Sequence, residues 1–281
     1  MPSFDPSRGR AWRVAVALVA LALPATAARA QTDYYNTDAG RPIAVEDAYP
    51  IEYRALELQV APLRIERSAG VYTWSMEPEF AVGLFPHTQL EIGFPLAFID
   101  LGGGEHETGL AGLEISALYN LNVETRIPAL AIAADVVLPV GRLAPDEAYP
   151  SLKAIATKTF PWARLHVNGR YTFEFGRAIA HDEAHADPHG SADLSQWLAG
   201  VAIDRTFPLE SLLLTAEVLA HQPLVREDDV VWDVGSGVRY QVGPRVALDF
   251  GGGYHLSGHE KGWYTTLGAA MSFGLPWSPR R

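Results

Sequence analysis

The sequence predicts an all-β fold, a transmembrane antiparallel up-and-down β-barrel of about 12 strands. Three observations carry that expectation. First, strand-length segments alternate. Between 165 and 175, apolar or small residues hold the odd positions, with His166, Asn168, Arg170, Thr172 and Glu174 between them. Successive side chains of a strand point to opposite faces, so such a segment has one apolar and one polar side. Second, tight proline-centred connections alternate with longer, glycine-rich, charged ones, as the short periplasmic turns and longer external loops of outer-membrane barrels do. Third, all six tryptophans after residue 30 fall near strand ends, where amphipathic rings meet a bilayer's water boundary.

Taken in order, the chain begins with Arg8, Arg10 and Arg13, an apolar run at 14–23, Pro24, and Ala28-Arg29-Ala30. That is the layout of a secretory signal peptide, residues 1–30, cleaved after Ala30. A run of about ten apolar residues is too short for a spanning helix, which needs roughly twenty. Removal of these residues takes away four arginines and Asp5, leaving 18 basic against 32 acidic side chains. A chain of net charge −14 repels nucleic acid. With no cysteine, it has neither a disulfide framework nor a thiolate metal site.

Residues 31–52 are polar and irregular, a periplasmic N-terminal segment that is either mobile or tucked into the lumen. The barrel spans 53–275, with strands near 53–66, 71–84, 88–99, 109–121, 129–140, 150–159, 163–176, 195–205, 210–221, 230–241, 245–255 and 262–274, and a tail at 276–281. Tight turns are expected at 85–87, 126–128, 160–162, 207–209 and 242–244, each with a proline that cannot donate to a ladder. Loops are expected at 102–108, 141–149, 177–194, 222–229 and 256–262, and only the first, at 68–70, is short. Twelve strands return both ends to the periplasm. Pro62, Pro78 and Pro95 fall inside strands, where each marks a bulge or a boundary.

Trp74, Trp197, Trp232, Tyr254 and Trp263 lie beside the loops, and Phe160, Trp162 and Trp277 beside the turns, as two interfacial girdles require. The outward face includes Leu56, Leu58 and Val60, Leu90 and Ile92, Ile132, Val201, Leu248 and Phe250. The inward face collects Glu57, Glu77, Glu79, Glu91, Glu114, Asp135, Glu174, Asp204, Glu217, Asp233 and Asp249 against Lys153, Arg170 and Arg239, with Arg164 and Arg245 near turns. Isolated buried charges cost several kcal/mol each, so this face is either watered or cross-paired. Two arrangements satisfy it: a wet pore whose acidic wall attracts cations, or an ion-pair network bracing a nearly closed barrel. The excess of acid over base favours the pore. Gly251, Gly253, Gly268 and Ala270 also face inward and leave room for a permeant or for the N-terminal segment.

Little points to catalysis. His181, His185 and His189 stand among acidic residues in the 177–194 loop and could bind a divalent metal, but their spacing matches no closed site and a solvated loop accounts for them. A lipid hydrolase needs a hydroxyl and a histidine adjacent across strands, and His166 and Ser116 fall on non-neighbouring strands. The glycine runs at 102–104 and 251–253 open no helix and lack the lysine and hydroxyl of a phosphate loop. No enzyme activity and no cofactor are expected.

The stretch Asn36-Thr37-Asp38-Ala39-Gly40-Arg41-Pro42, then Val45-Glu46-Asp47-Ala48-Tyr49-Pro50 and the first strand Leu56-Glu57-Leu58, resembles outer-membrane proteins of the putative meta-pathway of phenol degradation family. The resemblance implies a transporter-like barrel. Phe273 is followed by eight further residues rather than ending the chain, so the terminal aromatic of many barrels is absent. The expected role is an outer-membrane channel or uptake protein for small solutes with an acidic lumen. The alternatives are a non-conducting structural or ligand-binding barrel that works through its external loops, or an outer-membrane lipid hydrolase. The expected partners are outer-membrane lipid and lipopolysaccharide, the barrel-assembly machinery and a small-molecule permeant.

Overall fold

A computed structural model describes residues 37–68, 71–102, 104–173, 194–224, 230–257 and 261–274. The expected signal peptide, the C-terminal tail with Trp277, Glu174, and the loop carrying His181, His185 and His189 lie outside the described residues.

Strands follow one another in the order β1 (Ala55–Ser68), β2 (Val71–Met76), β3 (Glu79–Phe85), β4 (Thr88–Gly93), β5 (Leu96–Gly102), β6 (Glu105–Leu110), β7 (Leu113–Asn120), β8 (Ala129–Leu138), β9 (Tyr149–Thr159), β10 (Arg164–Thr172), β11 (Ser195–Thr206), β12 (Leu212–Pro223), β13 (Val231–Gly243), β14 (Val246–His255) and β15 (Gly262–Gly274). All pairings are antiparallel, and β15 closes the sheet on β1 through partners running from Ala55–Gly274 to Ser68–Gly262. Closure pairs the strands around the whole girth of the barrel, which is what hydrocarbon demands of a spanning sheet, and among the described residues β6, at the end of the strand order, pairs only with β5.

The fifteen segments make twelve spanning strands. Along β1, residues 56–59 pair with β3 and residues 63–68 with β2, so β2 and β3 are halves of one strand. In the same way β4 continues into β5, and β6 into β7. The breaks fall at Glu77-Pro78, Phe94-Pro95 and Ala111-Gly112, with a register shift between Val60 and Leu63 in β1. Prolines 62, 78 and 95 therefore mark irregularities, because each removes a ladder donor. Gly112 has φ +142°, and a Cβ there would lie 2.8 Å from Val137 Cγ1.

Alternation sorts the faces as the sequence suggests. Ile92, Ile132, Val201, Leu248 and Phe250 are exposed, while Ala131, Ala133, Ala202 and Ala247 beside them are buried. An exposed apolar belt around a charged interior is stable only if lipid bathes the outside. Trp74, Trp162, Trp232, Tyr254 and Trp263 are exposed near strand ends; Phe160 and Trp162 stack at 5.8 Å, and Trp197 donates from Nε1 to Gln222 at 2.9 Å.

Of the two placements the sequence allows for the N-terminal segment, residues 37–51 take the lumen. Two features depart from the expected pattern. The connection between β7 and β8 is longer than a tight turn, running 121–128, and Asn122 closes it by accepting from Leu130 N at 3.0 Å and donating to Pro128 O at 2.9 Å. Finally, the irregularity between Val60 and Leu63 shifts β1 by one residue, so Arg64 and Glu66 face inward, where strict alternation from Leu56 would have turned them out.

Candidate functional site: the occupied lumen

Residues 37–51 form a folded-back loop. Arg41 N donates to Asp38 O at 3.0 Å, and Asp47 N to Thr37 O at 3.0 Å. Such a loop cannot satisfy its own amides, and the inward side chains of the wall do so. Glu217 on β12 accepts from Ala44 N and Val45 N, each at 2.9 Å. Asn168 on β10 accepts from Glu46 N at 2.9 Å and donates to Glu46 O at 2.8 Å. Thr157 on β9 accepts from Ala48 N at 2.9 Å, Asn120 on β7 donates to Ala48 O at 2.7 Å, and Gln89 on β4 accepts from Ile51 N at 2.6 Å.

Charge fixes the same loop. Arg41 is fully buried, with Asp38, Glu57 and Asp249 around its guanidinium, the last two at 3.4 and 3.7 Å. Behind it, Arg239 Nε donates to Asp249 Oδ1 at 2.6 Å. Lys153 pairs with Glu46. Arg164 grips Asp204 through two bonds, at 2.9 and 2.6 Å, and reaches Asp47 at 3.4 Å. Burial pushes the Asp47 carboxyl up to about 7 against the pull of Arg164 and His166, and raises Glu46 against the pull of Lys153. At the turn below, the Glu124 carboxyl is held near 2: its slight burial is overcome by hydrogen bonds from Lys158 and from Thr159 N and Oγ1.

Small residues make room for the loop. A Cβ on Gly237 would lie 2.6 Å from Pro42 Cβ, one on Gly251 2.4 Å from Pro42 O, and one on Gly200 2.6 Å from Val45 Cγ2. Gly251 thus clears space for the N-terminal segment, one of the two uses its position allowed.

The predicted lumen residues sort into three groups. Glu57, Glu217, Asp249, Lys153 and Arg239 hold the loop. Glu77, Glu79, Glu91, Glu114, Asp135 and Arg170 line a cavity of about 150 Å³ between the loop and the wall. Asp233 belongs to a third group, toward the end of the barrel where β11 begins and β12 ends. There Ser195 Oγ is 2.8 Å from His221 Nδ1, and His221 Nε2 is 3.3 Å from Asp233 Oδ2. His255 Nδ1 is 2.6 Å from Asp233 Oδ1, and His255 Nε2 is 3.2 Å from Glu66. The adjacent hydroxyl and imidazole that Ser116 and His166 do not provide are found instead at Ser195 and His221, with the Asp233 carboxylate beyond them. The inward polar residues Asn120, Thr157 and Asn168 showed in the alternation, but nothing in sequence told what they bind.

The chain is similar in structure to an outer membrane channel from Pseudomonas putida F1 (TM-score 0.53, 12% identity, 81% of this chain and 98% of that one), a similarity that shows the fold. It also matches the KdgM porin (TM-score 0.48, 12% identity, 77% and 99%) and the NanC porin (TM-score 0.49, 6% identity, 77% and 98%). No curated protein matches it. The family described as "Putative MetA-pathway of phenol degradation" matches residues 63–273. With a closed twelve-strand barrel, an apolar outer belt and that match across most of its length, the chain is an outer-membrane β-barrel protein belonging to this family.

Proposed function

We propose that the barrel is a channel for small solutes, that its acidic wall favours cations, and that residues 37–51 constrict it. The observation that carries this reading is the cavity beside the loop. Seven carboxylates and three basic side chains line it, an excess of negative charge that water or cations entering the lumen would offset. A focused negative potential raises the local concentration of cations.

The test is the reversal potential of the purified protein in a planar bilayer under a KCl gradient. Discrete steps with a reversal potential on the cation side support the reading, and Glu79→Gln with Glu114→Gln should shift that potential toward zero. Absence of current from a folded barrel at any voltage, with the lumen loop intact or removed, counts against it.

One observation favours a second, hydrolytic reading: the Ser195–His221–Asp233 line. Ser195 is 2% exposed and Asp233 is also bound by His255, which suits a brace between strands better than a nucleophile that a substrate must reach. A fluorophosphonate probe decides between them. Labelling that Ser195→Ala abolishes would establish the hydrolase.

A further inference from the structure

The wall holds residues 37–51 mainly by their backbone. Glu217, Asn168, Thr157, Asn120 and Gln89 are each at least nine-tenths buried and each bonds main-chain amide or carbonyl groups of the loop. Main-chain contacts of this kind do not depend on which side chains the bound segment carries, whereas its charged positions do, Asp38 and Asp47 reaching Arg239 and Arg164. Arg41 needs the Glu57 and Asp249 carboxylates, and Glu46, five residues further on, needs Lys153. Main-chain hydrogen bonds that give affinity, with a few side-chain pockets that give selectivity, are a recurring way for proteins to bind peptides. A withdrawn loop would leave all of these groups facing an accessible lumen.

We propose that this seat is a binding site for oligopeptides that enter the lumen in place of residues 37–51 and fold back as they do, selective for a basic residue followed about five positions later by an acidic one. The proposal rests on the channel reading, since a peptide reaches the seat only through an open lumen. The attached loop competes at an effective concentration on the order of millimolar, so a free peptide binds measurably only where the loop's own grip is weakened.

The experiment uses full-length protein, the full-length Arg41→Glu variant, which reverses the charge at the anchor, and the full-length Gly251→Val variant, which crowds Pro42. The probe is a fluorescent peptide of sequence Thr-Asp-Ala-Gly-Arg-Pro-Ile-Ala-Val-Glu-Asp-Ala-Tyr-Pro-Ile, compared with a scrambled peptide of the same composition. Anisotropy in detergent should show the native-order peptide binding a variant at least tenfold more tightly than it binds the wild type, and at least tenfold more tightly than the scrambled peptide does. Adding Asn168→Ala should weaken that binding by about tenfold. Equal binding of both peptides, or no selective binding to either correctly folded variant, overturns the proposal. Bilayer current is recorded on the same samples. Silent bilayers would remove the channel reading, while the anisotropy still decides the peptide site.

Discussion

Asn168 and Glu46 pair as residues of adjacent strands do, with one donor and one acceptor each, at 2.9 and 2.8 Å, although one is a side chain of the barrel wall and the other a backbone unit of the preceding segment. Replacing Asn168 by Leu strands two buried amide groups, at about 1–3 kcal/mol for each group left unpaired. The loop should then leave its seat at least about tenfold more often. Faster amide hydrogen exchange at residues 43–48, with unchanged circular dichroism, would register this.

Gly251 offers a steric lever. A valine there collides with Pro42 O, so the loop should be expelled while the strand pairing of β14 persists. Gly169, where an added Cβ meets nothing within 4 Å, is the control. Gly251→Val should raise mean single-channel current severalfold, and Gly169→Ala should leave it unchanged.

Acidity should tighten the loop. Asp47 titrates at about 7 in its seat, against 3.8 as a free carboxyl, so the seated form binds more protons between those values. Stabilisation of the seated form is fully present below pH 3.8 and is lost as pH rises through about 7. Arg164 and His166 face this carboxyl from β10, with Asp38 beside it in the loop, and they oppose or assist the shift without reversing its sign. Mean current should therefore be lower at pH 5 than at pH 8, and Asp47→Asn should flatten that difference. A current that instead rises at pH 5 would contradict the assignment.

The outer face has its own test. Ile132 is 50% exposed on β8, within the apolar belt. Arginine at the bilayer midplane costs about 2–4 kcal/mol, which Ile132→Arg should show in urea unfolding from lipid vesicles. Val123, 68% exposed in the turn below, should tolerate arginine with little change.

The barrel itself was legible because alternation, turn spacing and ring placement all report one physical fact, a sheet with lipid on one side and charge on the other. What escaped was everything that depends on which strands meet which segment. Glu217 and Asn168 read as generic inward polar groups, since their partner lies more than 120 residues away and is bound through backbone that carries no sequence signature. Arg64 and Glu66 were hidden by the register shift before Leu63, which reverses the faces without altering the pattern of residue types. Ser195 and His221 escaped for a related reason: their adjacency depends on the register of β11 against β12, which is irregular between Ser195 and Trp197.

The most direct test uses the absence of native cysteine to lock the loop in place. Ile43, Val45 and Ala202 pack in one buried cluster, so the pair Val45→Cys and Ala202→Cys joins loop to wall on oxidation. Single-channel current recorded from the same oxidised and then reduced molecule should increase when the bond is cut. Identical current in the two states would contradict a channel constricted by residues 37–51.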